Sequence, residues 1–261
     1  MSDRSIAAEK AWETRRQKKK KWSEAGKKAY ETRMNKYKDL RQSIRLIECL
    51  PEEEYNFSEV KMLRQQFRII NNQMRELNKE EVKFPRSIVS TPRDLLKVLD
   101  NTKQSCIHIS CHGKHYKNYR KTALQLPNKN LYSDQIHSPK SNNVKLWQDR
   151  LDNDKATPLL IFLSACETAY AQDLAERFMQ AGVRFIIAPK EETFFHDSAL
   201  FASAFYTLFF VERNDPDIAF KKVKSAFRMS GKWKFYDAYS HNFTYYDPDG
   251  NGRFNKGRCK L

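Results

Sequence analysis

The chain has 261 residues, 40% of them hydrophobic and 13% aromatic, with a formal net charge of +16 and five cysteines. That apolar content excludes wholesale disorder, because enough surface can be buried to offset the entropy of ordering, and it fits one well-buried domain with appendages. An odd cysteine count without any CxxC excludes a regular disulfide framework and suits a reducing compartment, and no apolar run reaches the roughly 20 residues of a membrane span.

The basic excess is concentrated in residues 1–38. Ala11-Trp12-Glu13-Thr14-Arg15 recurs as Ala29-Tyr30-Glu31-Thr32-Arg33, 18 positions later. That offset is five helical turns, so both copies face the same way on one helix. Lys18 to Lys21 lies between them. A solvated, partly helical extension over 1–40 accounts for this pattern. So does an arm that contacts nucleic-acid phosphates while Trp12, Trp22 and Tyr30 stack on bases, or a docking segment for an acidic partner. The charged start lacks the apolar core of a secretory signal, and a cytoplasmic location is the expectation.

From residue 41 the pattern alternates between strand and helix. Ile44 to Leu50 is an apolar strand closed by Pro51. Ser58 is placed to cap a helix carrying Val60, Leu63, Phe67 and Ile70 at helical spacing. Val82 to Val89 reads as a weaker strand. Thr91-Pro92-Arg93-Asp94 is a helix start with a capping Thr, Pro in the first turn and an acid at the third position. The strand Cys106 to Ser110 follows. Residues 114–157 are polar and basic, with a strand-like piece at Thr122 to Leu126 and a helix expected around Val144 to Leu151. Strand Leu159 to Leu163, helix Ala171 to Met179 stopped by Gly182, and strand Val183 to Ala188 come next. An apolar helix over Ser198 to Val211 and a helix over Pro216 to Met229 capped by Asp215 complete the series. Near-continuous apolar strands alternating with helices predict an α/β fold with a mainly parallel sheet, over residues 41–230. Residues 231–261 read as a turn-rich tail or hairpin.

In such sheets, ligands bind beyond the carboxyl ends of the strands. His112 and Cys166 both lie just past those ends. A thiol becomes nucleophilic as the thiolate, which a nearby imidazole or a helix N-terminus promotes. Cys166, read as sitting where strand turns to helix, is offered both. His112 is suited to taking the thiol proton or protonating a leaving amine. The backbone N–H groups of Gly113 and Cys166 are candidates for holding an oxyanion, with glycine leaving room for a substrate carbonyl. Buried strand-end packing residues are the alternative reading of either residue alone.

Ile107-His108-Ile109-Ser110-Cys111-His112-Gly113 resembles the His-Gly motif of the CHAT domain, a branch of the caspase-like (clan CD) cysteine peptidases. Leu163-Ser164-Ala165-Cys166-Glu167-Thr168 resembles its nucleophile motif. Ile44 to Pro51, Thr91 to Leu99, Ala181 to Ala188 and Asp197 to Leu208 resemble the surrounding strands and helices. The resemblance implies a three-layer caspase-haemoglobinase-like sandwich and cysteine endopeptidase activity on protein or peptide substrates through a His112/Cys166 dyad. It also implies an activating partner protein in a bacterial signalling or defence setting. Cys111 stands where a small residue is usual, as a bystander or as a thiol that forms an inhibitory disulfide with Cys166. Relatives often prefer a basic residue before the scissile bond. Glu191, Glu192 and Asp197 are candidates for the matching acid, and equally read as loop acids or a helix cap.

Other motifs lead away from chemistry. Asp247 to Phe254 imitates the start of an EF-hand loop, but Arg258 stands where the bidentate Glu is needed. The histidines have no metal spacing with the cysteines, and no phosphate or dinucleotide loop is present, so neither metal nor cofactor is expected. The competing reading of the whole chain is a catalytically silent CHAT-like adaptor whose basic N-terminal arm binds nucleic acid.

Overall fold

The computed structural model describes residues 43–119, 121–136, 158, 160–181, 183–227 and 232–237, with the backbone of 244–245 and 255–256. The basic segment 1–38, the helix expected at 144–151 and Gly182 lie outside the described residues.

The chain opens with strand β1 (Ile44–Cys49) and a tight turn of 3-10 helix (Glu52–Phe57). Helix α1 (Glu59–Glu76) follows, and the Ser58 hydroxyl caps it by accepting the Val60 N–H at 3.1 Å. Val60, Leu63, Phe67, Ile70 and Met74 form its buried stripe. Strand β2 is only Arg86–Ile88. Pro85 has no N–H for the ladder, which accounts for a strand shorter than the apolar run suggests. Helix α2 (Pro92–Asn101) starts as its sequence predicts, with the Thr91 hydroxyl accepting the Asp94 N–H at 3.2 Å. Thr91→Ala is expected to cost about 1 kcal/mol. Urea unfolding should register this as a lower midpoint with an unchanged slope.

Strand β3 (Cys106–Tyr116) runs beyond its apolar part, and its outer half pairs with the antiparallel hairpin β4 (Lys121–Gln125) and β5 (Asn130–Tyr132). The remaining elements are β6 (Leu160–Ser164), α3 (Asp173–Gln180), β7 (Phe185–Pro189), α4 (Phe195–Tyr206), α5 (Pro216–Ala226) and β8 (Trp233–Asp237). A wider π turn carries α4 on to Val211. Two short strands, β9 (Thr244–Tyr245) and β10 (Asn255–Lys256), pair antiparallel with each other.

The main sheet has the order β2-β1-β3-β6-β7-β8, parallel throughout except at the β7–β8 edge. Alternate strand residues point to opposite faces. Ile47, Ile107, Ile109, Ile161 and Leu163 pack with Leu95 and Leu99 of α2 and with Leu174 and Phe178 of α3. The other face is aromatic. Phe162 lies among Phe201, Phe205 and Tyr206 of α4, Phe67 of α1 lies 5.3 Å from Tyr206, and Phe201 stacks on Trp233 at 4.7 Å. Phe220 of α5 contacts both Phe201 and Phe235. The result is a three-layer α/β sandwich, with α2 and α3 on one side and α1, α4 and α5 on the other. No helix among the described residues is long and apolar enough to cross a membrane.

Candidate active site

Strands β3 and β6 run parallel in a register that sets Ser110 opposite Ser164. His112 and Cys166 each follow that matched pair by two residues, at the carboxyl edge of adjacent strands. β3 continues, and His112 already pairs with Gln125 of β4. The imidazole therefore stands where β3 exchanges its parallel neighbour for the hairpin. β6 ends at Ser164, and the chain turns through Ala165 to Tyr170.

Several fixed contacts hold that turn. The Thr168 hydroxyl donates to the Ala165 carbonyl at 2.7 Å, and the Ala169 N–H donates to the Pro189 carbonyl at 2.8 Å. The Tyr236 hydroxyl donates to the Ala169 carbonyl at 3.1 Å. Glu167 adopts a left-handed φ of 57°, and its carboxylate accepts the His115 N–H at 2.9 Å. A left-handed non-glycine residue needs such surrounding support. Gly113 fits against this turn with no room for a side chain. A Cβ there would lie 2.3 Å from the Cys166 carbonyl oxygen and 3.0 Å from Ala165. The glycine thus accommodates the backbone that carries Cys166, a role different from the clearance for a substrate carbonyl anticipated from the sequence.

Helix α3 opens at Asp173, later than the Ala171 start expected, so the turn to Tyr170 separates Cys166 from it. The sequence reading that put a helix N-terminus directly at the thiol is corrected accordingly. The Asp173 carboxylate instead clamps the hairpin. It accepts from the Thr122 N–H at 2.8 Å, the Thr122 hydroxyl at 2.6 Å and the Ser133 hydroxyl at 2.5 Å.

The two candidate side chains share one neighbouring segment. The Cys166 sulfur lies 3.4 Å from both the N–H and the carbonyl oxygen of Thr193. The His112 ring packs on Phe195, with centroids 5.4 Å apart. Thr193 to Phe195 leads into α4, so both side chains stand on the α1/α4 side of the sheet. His112 Nε2 contacts Glu54 Oε2 at 2.8 Å, in the turn that follows β1. Sequence reasoning singled out neither Glu54 nor Thr193. An acidic run after Pro51 and a threonine in a loop carry no local signal of their eventual neighbours.

Cys166 is partly accessible, whereas Cys49, Cys106 and Cys111 are buried. Cys111 sits in the core facing α2 and α3, beside its strand partner Cys49. Burial pushes both thiols up from their ordinary value, and neighbouring negative groups add to it. Alternation directs Cys111 toward α2 and α3, whereas Cys166 contacts Thr193, and both are free thiols in this structure.

Beneath the site lies a buried polar layer. His108 Nδ1 contacts the Tyr206 hydroxyl at 2.8 Å, and His108 Nε2 approaches Glu59 Oε1 at 3.3 Å, with His108 and Glu59 both 0% exposed. The second approach is too skewed for a hydrogen bond and acts as a carboxyl–imidazole electrostatic contact. Burial, followed by Cys106 and Glu59, raises the Tyr206 hydroxyl well above its ordinary value, so it remains protonated.

The three candidate pocket acids follow β7. Glu191 and Glu192 are exposed, and their carbonyls accept the Glu167 N–H and the Lys232 ammonium. Asp197 is half-buried in the first turn of α4. No cluster of three or more metal-ligating side chains occurs among the described residues.

Comparison with known proteins adds a family. The model of the CHAT domain matches residues 14–245, a wider span than the motifs alone covered. No curated protein matches the chain. Among solved structures, the chain is similar to the crystal structure of the Drosophila initiator caspase Dronc, at 12% identity and a TM-score of 0.46, over 76% of this chain and 80% of that chain. With the family model matching most of its length, the chain belongs to the CHAT-domain family.

Proposed function

We propose that the protein is a cysteine endopeptidase in which His112 and Cys166 form the catalytic dyad. The observation that carries this reading is their common setting: adjacent parallel strand ends, one face of the sheet, and one segment, Thr193 to Phe195, against both. His112 takes the thiol proton, and the sulfur adds to the carbonyl carbon of the scissile bond. The carbonyl π electrons move to oxygen, where the N–H groups of Gly113 and Cys166 are the candidate donors. Collapse expels the amine with a proton from the imidazolium and leaves a thioester. Water, deprotonated by His112, hydrolyses the thioester and restores the thiol.

The resting contacts suit a latent enzyme. The Thr193 carbonyl accepts the thiol proton, so the sulfur must leave that partner before reacting through His112. An activating partner that shifts the Thr193 to Phe195 segment would release it. Glu191, Glu192 and Asp197 on the same connection are the candidates for selecting a basic residue before the scissile bond.

Peptidyl chloromethyl ketones ending in lysine, aspartate or leucine test these points together on the full chain. Capture at Cys166, located by mass spectrometry, should slow at least tenfold in His112→Ala. The lysine probe should react fastest. Cys166 labelling that is indifferent to His112 would overturn the dyad. Salt-sensitive DNA or RNA binding through residues 1–38, with Cys166 inert, is the pattern expected of the adaptor.

A further inference from the structure

We infer that Glu54 is a positioning residue for His112, fixing its tautomer and ring so that Nδ1 is the nitrogen offered to the thiol. This rests on the peptidase reading above. The Glu54 carboxylate is acceptor-only when ionised, so its 2.8 Å contact with Nε2 is made by an Nε2–H donor. In the neutral imidazole that assignment leaves the lone pair on Nδ1. When Nδ1 takes the Cys166 proton, the same carboxylate faces the new imidazolium and stabilises it. When Nδ1 passes that proton to the leaving amine, the ring returns to the same tautomer. Phe195 packs on the ring and limits its rotation.

The turn that carries Glu54 is held through the next residue in sequence. The Tyr55 ring lies under the Arg86 guanidinium, 5.6 Å from centroid to carbon. Arg86 in turn donates through Nε and Nη2 to Glu48 Oε2. Glu48 is a fully buried residue of β1, and it is the register partner of Ser110 on β3. The turn that bears Glu54 is therefore tied to the strand next to the one that bears His112. One continuous set of contacts, Glu48–Arg86–Tyr55, fixes the side of the site from which Glu54 reaches the imidazole.

Because the side chains of His112 and Glu54 are 42% and 36% exposed, water screens part of the interaction. The expected effect is thus smaller than the roughly 10²- to 10⁴-fold of direct general acid–base assistance, about 10- to 100-fold. The test uses the full chain as wild type, Glu54→Gln, Glu54→Asp and His112→Ala, with two readouts. The first is the rate of Cys166 alkylation by iodoacetamide, with thermal melting run in parallel. The second is the proton NMR resonance of the His112 Nε2–H, which a carboxylate partner moves strongly downfield and which does not depend on peptidase activity.

Glu54→Gln should melt near the wild type, lose the downfield resonance and alkylate 10- to 100-fold more slowly. Glu54→Asp, which keeps the charge, should recover part of both signals. Arg86→Ala, remote from the sulfur, should weaken the resonance and slow alkylation in the same direction. Wild-type rates in Glu54→Gln, with His112→Ala still slow, overturn the role of Glu54 and leave the dyad standing. Wild-type alkylation that is indifferent to His112 overturns the dyad and the role of Glu54 with it.

Discussion

Replacing Gly113 with alanine is expected to slow reaction at Cys166 by about two orders of magnitude while the protein still folds. The cause is contact and not backbone conformation, since Gly113 does not adopt a left-handed φ. The added methyl carbon would sit 2.3 Å from the Cys166 carbonyl oxygen and 3.0 Å from both Ala165 carbons in contact with it. Ordinary carbon contacts need about 3.5 Å or more, so something must shift by roughly an ångström. Neither side yields easily. Gly113 is held by the β3–β4 ladder, and the opposing turn is pinned by Thr168, Ala169 and Tyr236. Overpacking of this kind costs about 1–3 kcal/mol. A displacement of that size in a reacting group costs about a hundredfold in rate. Chloromethyl ketone capture and thermal melting on the same preparation separate the two effects. A variant that labels at the wild-type rate would show that the Gly113 contact does not set the position of the sulfur.

The second large effect concerns stability. Glu59→Ala is expected to destabilise the fold by about 1–3 kcal/mol, because it leaves the buried His108 Nε2 without its neighbouring carboxyl. For a domain of this size that corresponds to a melting temperature lower by roughly 2–12 °C. The pair joins the first turn of α1 to β3, and Tyr206 extends the connection to α4. Replacing both Glu59 and His108 by leucine should cost much less than the sum of the single changes. The two sites are in direct contact, where coupling of about 0.5–3 kcal/mol is usual. Additive single and double losses would remove the pair as a stabilising unit.

Much of this architecture could be read from the chain. Strands β1, β3, β6 and β7 are buried on both faces and so appear as nearly unbroken apolar runs. Thr91-Pro92 and Ser58 mark helix starts because capping chemistry is local. The unread parts depend on distant partners. The outer half of β3, His112 to Tyr116, is polar because it pairs with a hairpin instead of crossing the core. Strand β8 is hard to read because Lys-Trp-Lys-Phe-Tyr-Asp has the weak alternation of an edge strand, and its two buried residues lie on opposite faces, Trp233 against Phe201 and Tyr236 in the core beside α2 and α3. Helix α4 begins at Phe195, three residues ahead of Ser198, so Asp197 falls in its first turn. For the candidate site, the motifs identified His112, Gly113 and Cys166, but Glu54, Thr193 and Asp173 required the folded chain. Each acts through a contact spanning 27 to 58 positions of sequence.

The layering of the thiols sets how this protein meets oxidants. Among the described cysteines, peroxide arriving from solvent reaches Cys166 first, because Cys49, Cys106 and Cys111 are walled off inside the fold. The sulfenic acid formed there has main-chain amide and carbonyl groups of Thr193 beside it, while the nearby Cys111 lies behind the sheet. Among the described cysteines none is placed to trap it as a disulfide, and a small thiol from solution that caps the sulfur would keep a second peroxide from carrying it to the irreversible sulfinate. Survival of the Cys166 thiol would then follow the reducing capacity of the surrounding medium.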